Sequence, residues 1–242
     1  VGSEMCIRDS YRIIRNISGH KLSWKPNDTS LLNIGELVIY AGENRGIELM
    51  YLNPFVPYFF SALEGEQKIN HEDLTNSMIF LYGKSIIKNT FEVFFELVVD
   101  DYQIDDTGIP HSTGMKVGLQ KNFISAKIPF ELILSNTQLN SNMYLHRSIY
   151  TSWSHFGHSL GDIYGPDQSN TKIIFKTKFK HNYNFHFDIT SILKGKLFFE
   201  DILNQFNGAD TIVKSKKYLF GNLNFSIQHK SFLIRMGWHN KP

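Results

Sequence analysis

The sequence predicts an all-β chain, an antiparallel transmembrane (outer-membrane) β-barrel that is incomplete at its N-terminal side. Three observations carry that expectation. Apolar side chains recur with period two over segments longer than the roughly 5–6 residues of an ordinary strand. The alternate positions of those segments carry Glu, Asp, Lys and His. The connections divide into tight ones and long polar ones. Composition agrees, because 20 Phe, 11 Tyr and 3 Trp in a chain only 42% hydrophobic mean that the apolar residues are dispersed, not pooled.

Taken in order, weaker alternation places strands at 12–24, 31–41, 46–52 and 78–87. From Thr90 the signal is strong: Phe91, Val93, Phe95, Leu97 and Val99 fall on one face, and Glu92, Phe94, Glu96, Val98 and Asp100 on the other. A weaker strand at 115–120 precedes 124–134, where Ile124, Ala126, Ile128, Phe130, Leu132 and Leu134 oppose Ser125, Lys127, Pro129 and Glu131. Another weak strand is expected at 143–152. Then Ile173, Phe175, Thr177 and Phe179 oppose a row containing Lys172, Lys176, Lys178 and Lys180. Tyr183, Phe185, Phe187 and Ile189 oppose Asn184, His186 and Asp188. A short helix is expected within 190–206, a weak strand at 216–227, and a last strand with Phe232, Ile234, Met236 and Trp238 on one face.

Two settings produce such alternation. In a soluble β-sandwich the apolar face meets a second sheet and the polar face meets water. In an outer-membrane barrel the apolar face meets lipid and the polar face lines an aqueous interior. Tight turns at Gly42–Arg45, Lys88–Thr90, Gln120–Asn122 and His229–Lys230 beside long polar segments 64–77 and 101–114 favour the barrel. So do opposite charges on different polar faces, and Tyr40, Tyr51, Tyr150, Trp153, Tyr183 and Trp238 near strand ends, which suit interfacial girdles. Pro129 stands against it, since it removes a ladder donor. Strand parity also breaks, because 154–170 falls where a short turn is due.

Residues 1–10 (VGSEMCIRDS) match the translation of a sequencing-library transposase adapter, so they are expected not to be native. Residues 11–242 are then expected to form the C-terminal part of a single outer-membrane β-barrel domain, the signal peptide lying upstream. Setting the adapter aside removes Cys6, Arg8, Glu4 and Asp9, which leaves no cysteine and moves the formal charge from +2 to +3. That balance argues against nucleic acid as a partner. No apolar run approaches the roughly 18 residues of a membrane helix, and no linker or fixed-period repeat divides the chain.

Three stretches go beyond pattern: ELMYLNPFVPYF (48–59), FFELVVDDYQIDD (94–106) and LHRSIYTSWSHFGHSLGDIYGPD (145–167). In this order and at these separations they resemble the Wzi family of capsule-assembly proteins. The last stretch resembles that family's His…Gly…Leu-Gly…Gly-Pro-Asp region at His155, Gly157, Leu160, Gly161, Gly165, Pro166 and Asp167; Asp100 and Asp101 resemble its acidic strand end. The resemblance implies a bacterial outer-membrane lectin that binds capsular or other surface polysaccharide and aids its attachment to the cell surface. It implies no reaction and no cofactor, and outer-membrane lipid as the surrounding partner.

Candidate glycan contacts follow from residue chemistry. Asp100, Asp101, Asp105 and Asp106 surround Tyr102 and Gln103, and carboxylates, an amide and an aromatic ring suit sugar hydroxyls. The plain alternative is a solvated strand end. His155 and His158 lack enough neighbouring ligands for a metal; with Arg147 and Asp167 they are read as donors and acceptors to glycan oxygens. Gly157, Gly161, Gly165 and Pro166 are read as the turn residues of a loop folded into the barrel interior. Ser154 and Ser159 lack a nucleophile elbow, which disfavours a hydrolase. A general or substrate-specific porin, and a soluble β-sandwich carbohydrate-binding or adhesion module, stay open as alternatives.

Overall fold

A computed structural model describes residues 13–58, 75–101, 112–146, 148, 150–155, 158–179, 183–195, 216–229 and 232–239. Ten strands form one antiparallel sheet: β1 (Ile13–Asn27), β2 (Ser30–Glu43), β3 (Thr75–Ile87), β4 (Phe91–Asp101), β5 (Ser112–Ser125), β6 (Ile128–Leu139), β9 (Gln168–Phe179), β10 (Tyr183–Lys194), β11 (Lys216–His229) and β12 (Phe232–His239). Each sheet strand pairs with its neighbours in sequence order. Two further two-residue strands, β7 (Ser154–His155) and β8 (His158–Ser159), pair only with each other between β6 and β9. Among the described residues no hydrogen-bonded ladder joins β1 to β12, so the described sheet is open.

The connections alternate strictly. Short ones (28–29, 88–90, 126–127, 180–182 and 230–231) lie at one end of the sheet, and long ones (44–74, 102–111, 140–167 and 195–215) at the other. This restores the parity that the sequence expectation broke. The expected strand at 143–152 is a run of turns: the amides of Met143, Leu145 and Thr151 donate to the carbonyls of Asn140, Asn142 and Ser148. Ser148 also accepts the Tyr150 amide through its hydroxyl, a local bond that competes with a strand ladder. The expected strand at 46–52 is instead a 3-10 turn at Leu49–Leu52; 190–194 extends β10, and the rest of the 190–206 segment that was expected to hold a short helix lies, from 196 on, outside the described residues.

Two tight turns are also displaced. Gln120–Asn122 lies inside β5, and the 124–134 segment is a hairpin whose turn is Ala126–Lys127. Pro129 thereby becomes the second residue of β6, beside the turn, where a missing donor is tolerated. Gly42–Arg45 does turn, with an Arg45 amide to Gly42 carbonyl bond, but it opens the long 44–74 connection and closes no hairpin.

From β4 to β9 the faces of the sheet are inverted relative to a water-soluble core, whereas on β2 Val38 and Tyr40 of the outward face are covered by Tyr51 and Tyr58. Leu97 and Leu134 are 40% and 46% exposed, whereas Ser135 and Asn170 on the opposite face are 8% and 5% exposed. Met115, Val117, Leu119, Leu132 and Ile173 share the exposed face. Among the described residues no second sheet covers these apolar rows. No described helix is long and apolar enough to cross a membrane, which leaves crossing by strands unaddressed.

The polar face holds the 140–167 connection. Met143, Tyr144 and Trp153 pack there against Ile39 of β2, Met78 of β3 and Leu139 of β6. Trp153 is therefore an interior residue, only 3% exposed, and not part of an interfacial girdle. Arg15 of β1 donates to the carbonyls of Ser152 and Ser154, both at 2.9 Å, while Tyr164 stacks on Phe220 of β11 at 5.8 Å. Laid flat, β1 and β11 would stand roughly 38 Å apart at about 4.8 Å per strand. A single turn-rich connection touching both fits a sheet curved around it.

Candidate functional site

The interior connection is pinned from several strands. The Asp100 carboxylate of β4 accepts the Tyr144 amide at 2.6 Å, and Asn76 of β3 donates to the Thr151 carbonyl at 3.2 Å. Lys194 of β10 donates to the carbonyls of Tyr164 and Pro166. The Asp167 amide donates to the Asn140 carbonyl, and the Gly195 amide to the Asp167 carbonyl. These bonds give backbone groups in a turn-rich segment the partners that a buried position demands. They make the connection a fixed inner layer of the wall.

Between that layer and the strands lies a cavity of about 370 Å³. Glu96 and Val98 (β4), Gly114 and Lys116 (β5), and Thr137 and Leu139 (β6) line one side; Tyr144, Gly161, Asp162 and Ile163 line the other. Glu96 and Lys116 are register partners across β4 and β5, yet neither makes a salt bridge or side-chain hydrogen bond among the described residues. Thr137 pairs with Lys116 from the far side. Asp162 is oriented by accepting from the Gln168 side chain at 2.7 Å and from the Tyr164 amide at 3.0 Å. Carboxylates, an ammonium group and a hydroxyl therefore converge beside a phenol ring. That combination can hydrogen-bond several hydroxyls of one small polar ligand.

Tyr144 shapes the cavity. Its backbone takes φ 70°, in the left-handed region that a bulky residue adopts only when its surroundings hold it there. Its ring lies over Gly161, where any Cβ would collide with the ring. The Asp162 amide donates to its hydroxyl at 3.3 Å. Burial pushes the phenol up to about 12; the Asp162 amide bond opposes that shift, and the Asp162, Glu96 and Asp100 carboxylates add to it.

Of the residues singled out from sequence, Gly161 is the one that lines this cavity. Asp100 and Asp167 hold the inner layer in place, as does Pro166 through its carbonyl. Gly165 takes φ 72° at the corner before Pro166. His155 and His158 pair across β7 and β8 on an exposed part of the connection. The Ser159 hydroxyl accepts the Gly161 amide at 3.1 Å, which is a turn role. Asp101 is described only along its backbone; Tyr102, Gln103, Asp105, Asp106, Arg147 and Gly157 lie outside the described residues. Glu96, Lys116 and Thr137 were not singled out from sequence as site residues. Glu96 was visible as a charge on a polar face, but only the strand register brings the three together.

No family model matches the chain, and no curated protein matches it. Among solved structures the chain is similar to Wzi of Escherichia coli, described as an outer membrane protein involved in group 1 capsule assembly and a carbohydrate-binding β-barrel. The TM-score is 0.61 at 12% sequence identity. The likeness covers 94% of this chain and 48% of that one, so this chain spans about half the length of that protein. At this identity the likeness is one of fold.

Proposed function

We propose that this chain is part of an outer-membrane β-barrel lectin that binds capsular or other surface polysaccharide in its interior and helps hold it at the cell surface, without catalysis. The observation that carries the proposal is the cavity between Glu96, Lys116 and Thr137 on the wall and Tyr144 and Asp162 on the inner layer. Its wall charges face each other without pairing, so both are available to a ligand. Its size suits one or two sugar rings, within the range of small-molecule sites. The exposed apolar face supports a lipid surround, which would supply the cover that no second sheet provides. The structural neighbour binds carbohydrate, which agrees with this assignment.

The inner layer also bears on the porin alternative. The 140–167 connection reaches from Arg15 on β1 to Phe220 on β11 and occupies interior space that an open channel would leave to water.

Binding of purified capsular polysaccharide to the detergent-refolded chain tests the proposal. Hydrogen bonds to charged groups contribute about 1.5–3 kcal/mol. Glu96→Gln and Lys116→Gln should each therefore weaken retention by roughly tenfold or more, without changing the heat-dependent gel mobility that reports a folded barrel. Retention unaltered in both variants would remove the cavity as the binding site.

A further inference from the structure

A second cavity lies at the opposite end of the same wall. It measures about 800 Å³ and sits where the short turns gather. Asn89 and Thr90 from the β3–β4 turn, Asn122 and Ile124 of β5, Pro129 and Glu131 of β6, Lys176 and Lys178 of β9, and Asn184 and His186 of β10 contribute to it. It shares no lining residue with the first cavity. Along β5 the two are separated by Lys116 to Asn122, roughly 20 Å at about 3.4 Å per residue.

The chemistry here differs from that of the first cavity. Ile124 and Pro129 are register partners and form an apolar shelf, with Ile124 77% exposed. Around the shelf stand three amide side chains, and those of Asn89 and Asn184 make no hydrogen bond among the described residues. The charges do not cancel. Glu131 is tied to Lys176 at 3.0 Å, and the His186 ring shares a 3.1 Å hydrogen bond with Asp188, which does not line the cavity. Lys178 is exposed, has Asn184 as its register partner, and makes no ion pair among the described residues. One uncompensated ammonium beside an apolar surface and amides without hydrogen-bond partners among the described residues suits a pyranose ring carrying a carboxylate.

We propose that this turn-side basin is a second saccharide site, selective for uronate-bearing chains. Lys178 takes the carboxylate, Asn89 and Asn184 take ring hydroxyls, and the Ile124–Pro129 shelf takes the apolar face of the ring. The assignment deepens the polysaccharide-binding proposal and rests on it for the class of ligand, but it invokes separate residues. An uncompensated charge at a cavity mouth also raises the local concentration of anions, in a salt-dependent way.

Calorimetry on the refolded full chain with oligogalacturonate, and with the same oligosaccharide after carboxyl reduction, tests it. Lys178→Gln combined with Asn184→Ala is expected to lower oligogalacturonate affinity roughly tenfold or more; of the pair, Lys178→Gln alone should leave the reduced form unaffected, whereas Asn184→Ala should weaken both forms. Lys178→Arg, which keeps the charge, should retain most of the affinity. If the double variant binds oligogalacturonate like the parent while Lys116→Gln loses it, the basin assignment is overturned and the first cavity stands. Loss in the basin variant with no effect of Glu96→Gln or Lys116→Gln supports the basin as the uronate site. No binding of oligogalacturonate to a parent chain that still retains capsular polysaccharide overturns the basin alone.

Discussion

Tyr144 ties the inner layer to the wall through its amide and holds the inner layer together through its carbonyl and hydroxyl. Its amide reaches Asp100, its carbonyl accepts the Trp153 amide at 3.0 Å, and its hydroxyl accepts the Asp162 amide. Because burial pushes its phenol up to about 12 from an ordinary value of 10.0, the folded chain holds this proton more tightly than the unfolded one. Its contribution to stability is then complete below pH 10 and is lost as pH rises toward 12. Urea midpoints of the refolded chain should fall across that window, and Tyr144→Phe should flatten the fall; an equal fall in the variant would contradict the assignment. None of this was legible in sequence, where Tyr144 fell inside an expected strand. Its turn is held by long-range partners, Asp100 above all, that no local pattern reports.

At the scale of elements, legibility followed turn chemistry. Phe91–Val99 and Tyr183–Ile189 were readable because period two ran uninterrupted and their faces differ in polarity. The hairpin at 124–134 was not, because its turn residues are Ala126 and Lys127 at φ 48° and 65°. A two-residue turn of that kind ordinarily carries Asn or Gly, which tolerate positive φ. Here apolar residues continue on both sides with no break signal. The Lys88–Asn89 turn, at φ 50° and 54°, has its Asn and was found. Placing Asn at 126 and Gly at 127 should relieve left-handed strain of about 1–2 kcal/mol per residue, raising the urea midpoint. A lowered midpoint would contradict that account of the turn. Aromatic–glycine contacts add a second device of this kind: the Phe80, Phe95 and Phe94 rings lie over Gly35, Gly83 and Gly118 on neighbouring strands, where a Cβ would collide. They fix register at positions that propensity alone marks as weak.

For the whole molecule, the physical claim is that the sheet is inside out. Phe95, Leu97, Met115, Val117, Leu134 and Ile173 look outward, while Glu96, Lys116, Ser135, Thr137 and Asn170 look toward the inner layer. That polarity was the most legible feature of the sequence, since it needs only a strand's period. The interior layer was expected as a loop, but its depth and its reach from β1 to β11 were not, because its bonds join residues up to 139 positions apart.

Single-cysteine spin labels in a bilayer-reconstituted chain, with Cys6 replaced, measure that polarity most directly. Labels at Leu97 and Leu134 should collide readily with lipid-soluble oxygen and little with a water-soluble nickel chelate. Labels at Glu96 and Ser135 should be poorly reached by oxygen. Equal oxygen access on both faces, or a chain that stays dispersed in buffer with the Leu97 and Leu134 labels shielded from both reagents, would contradict the account.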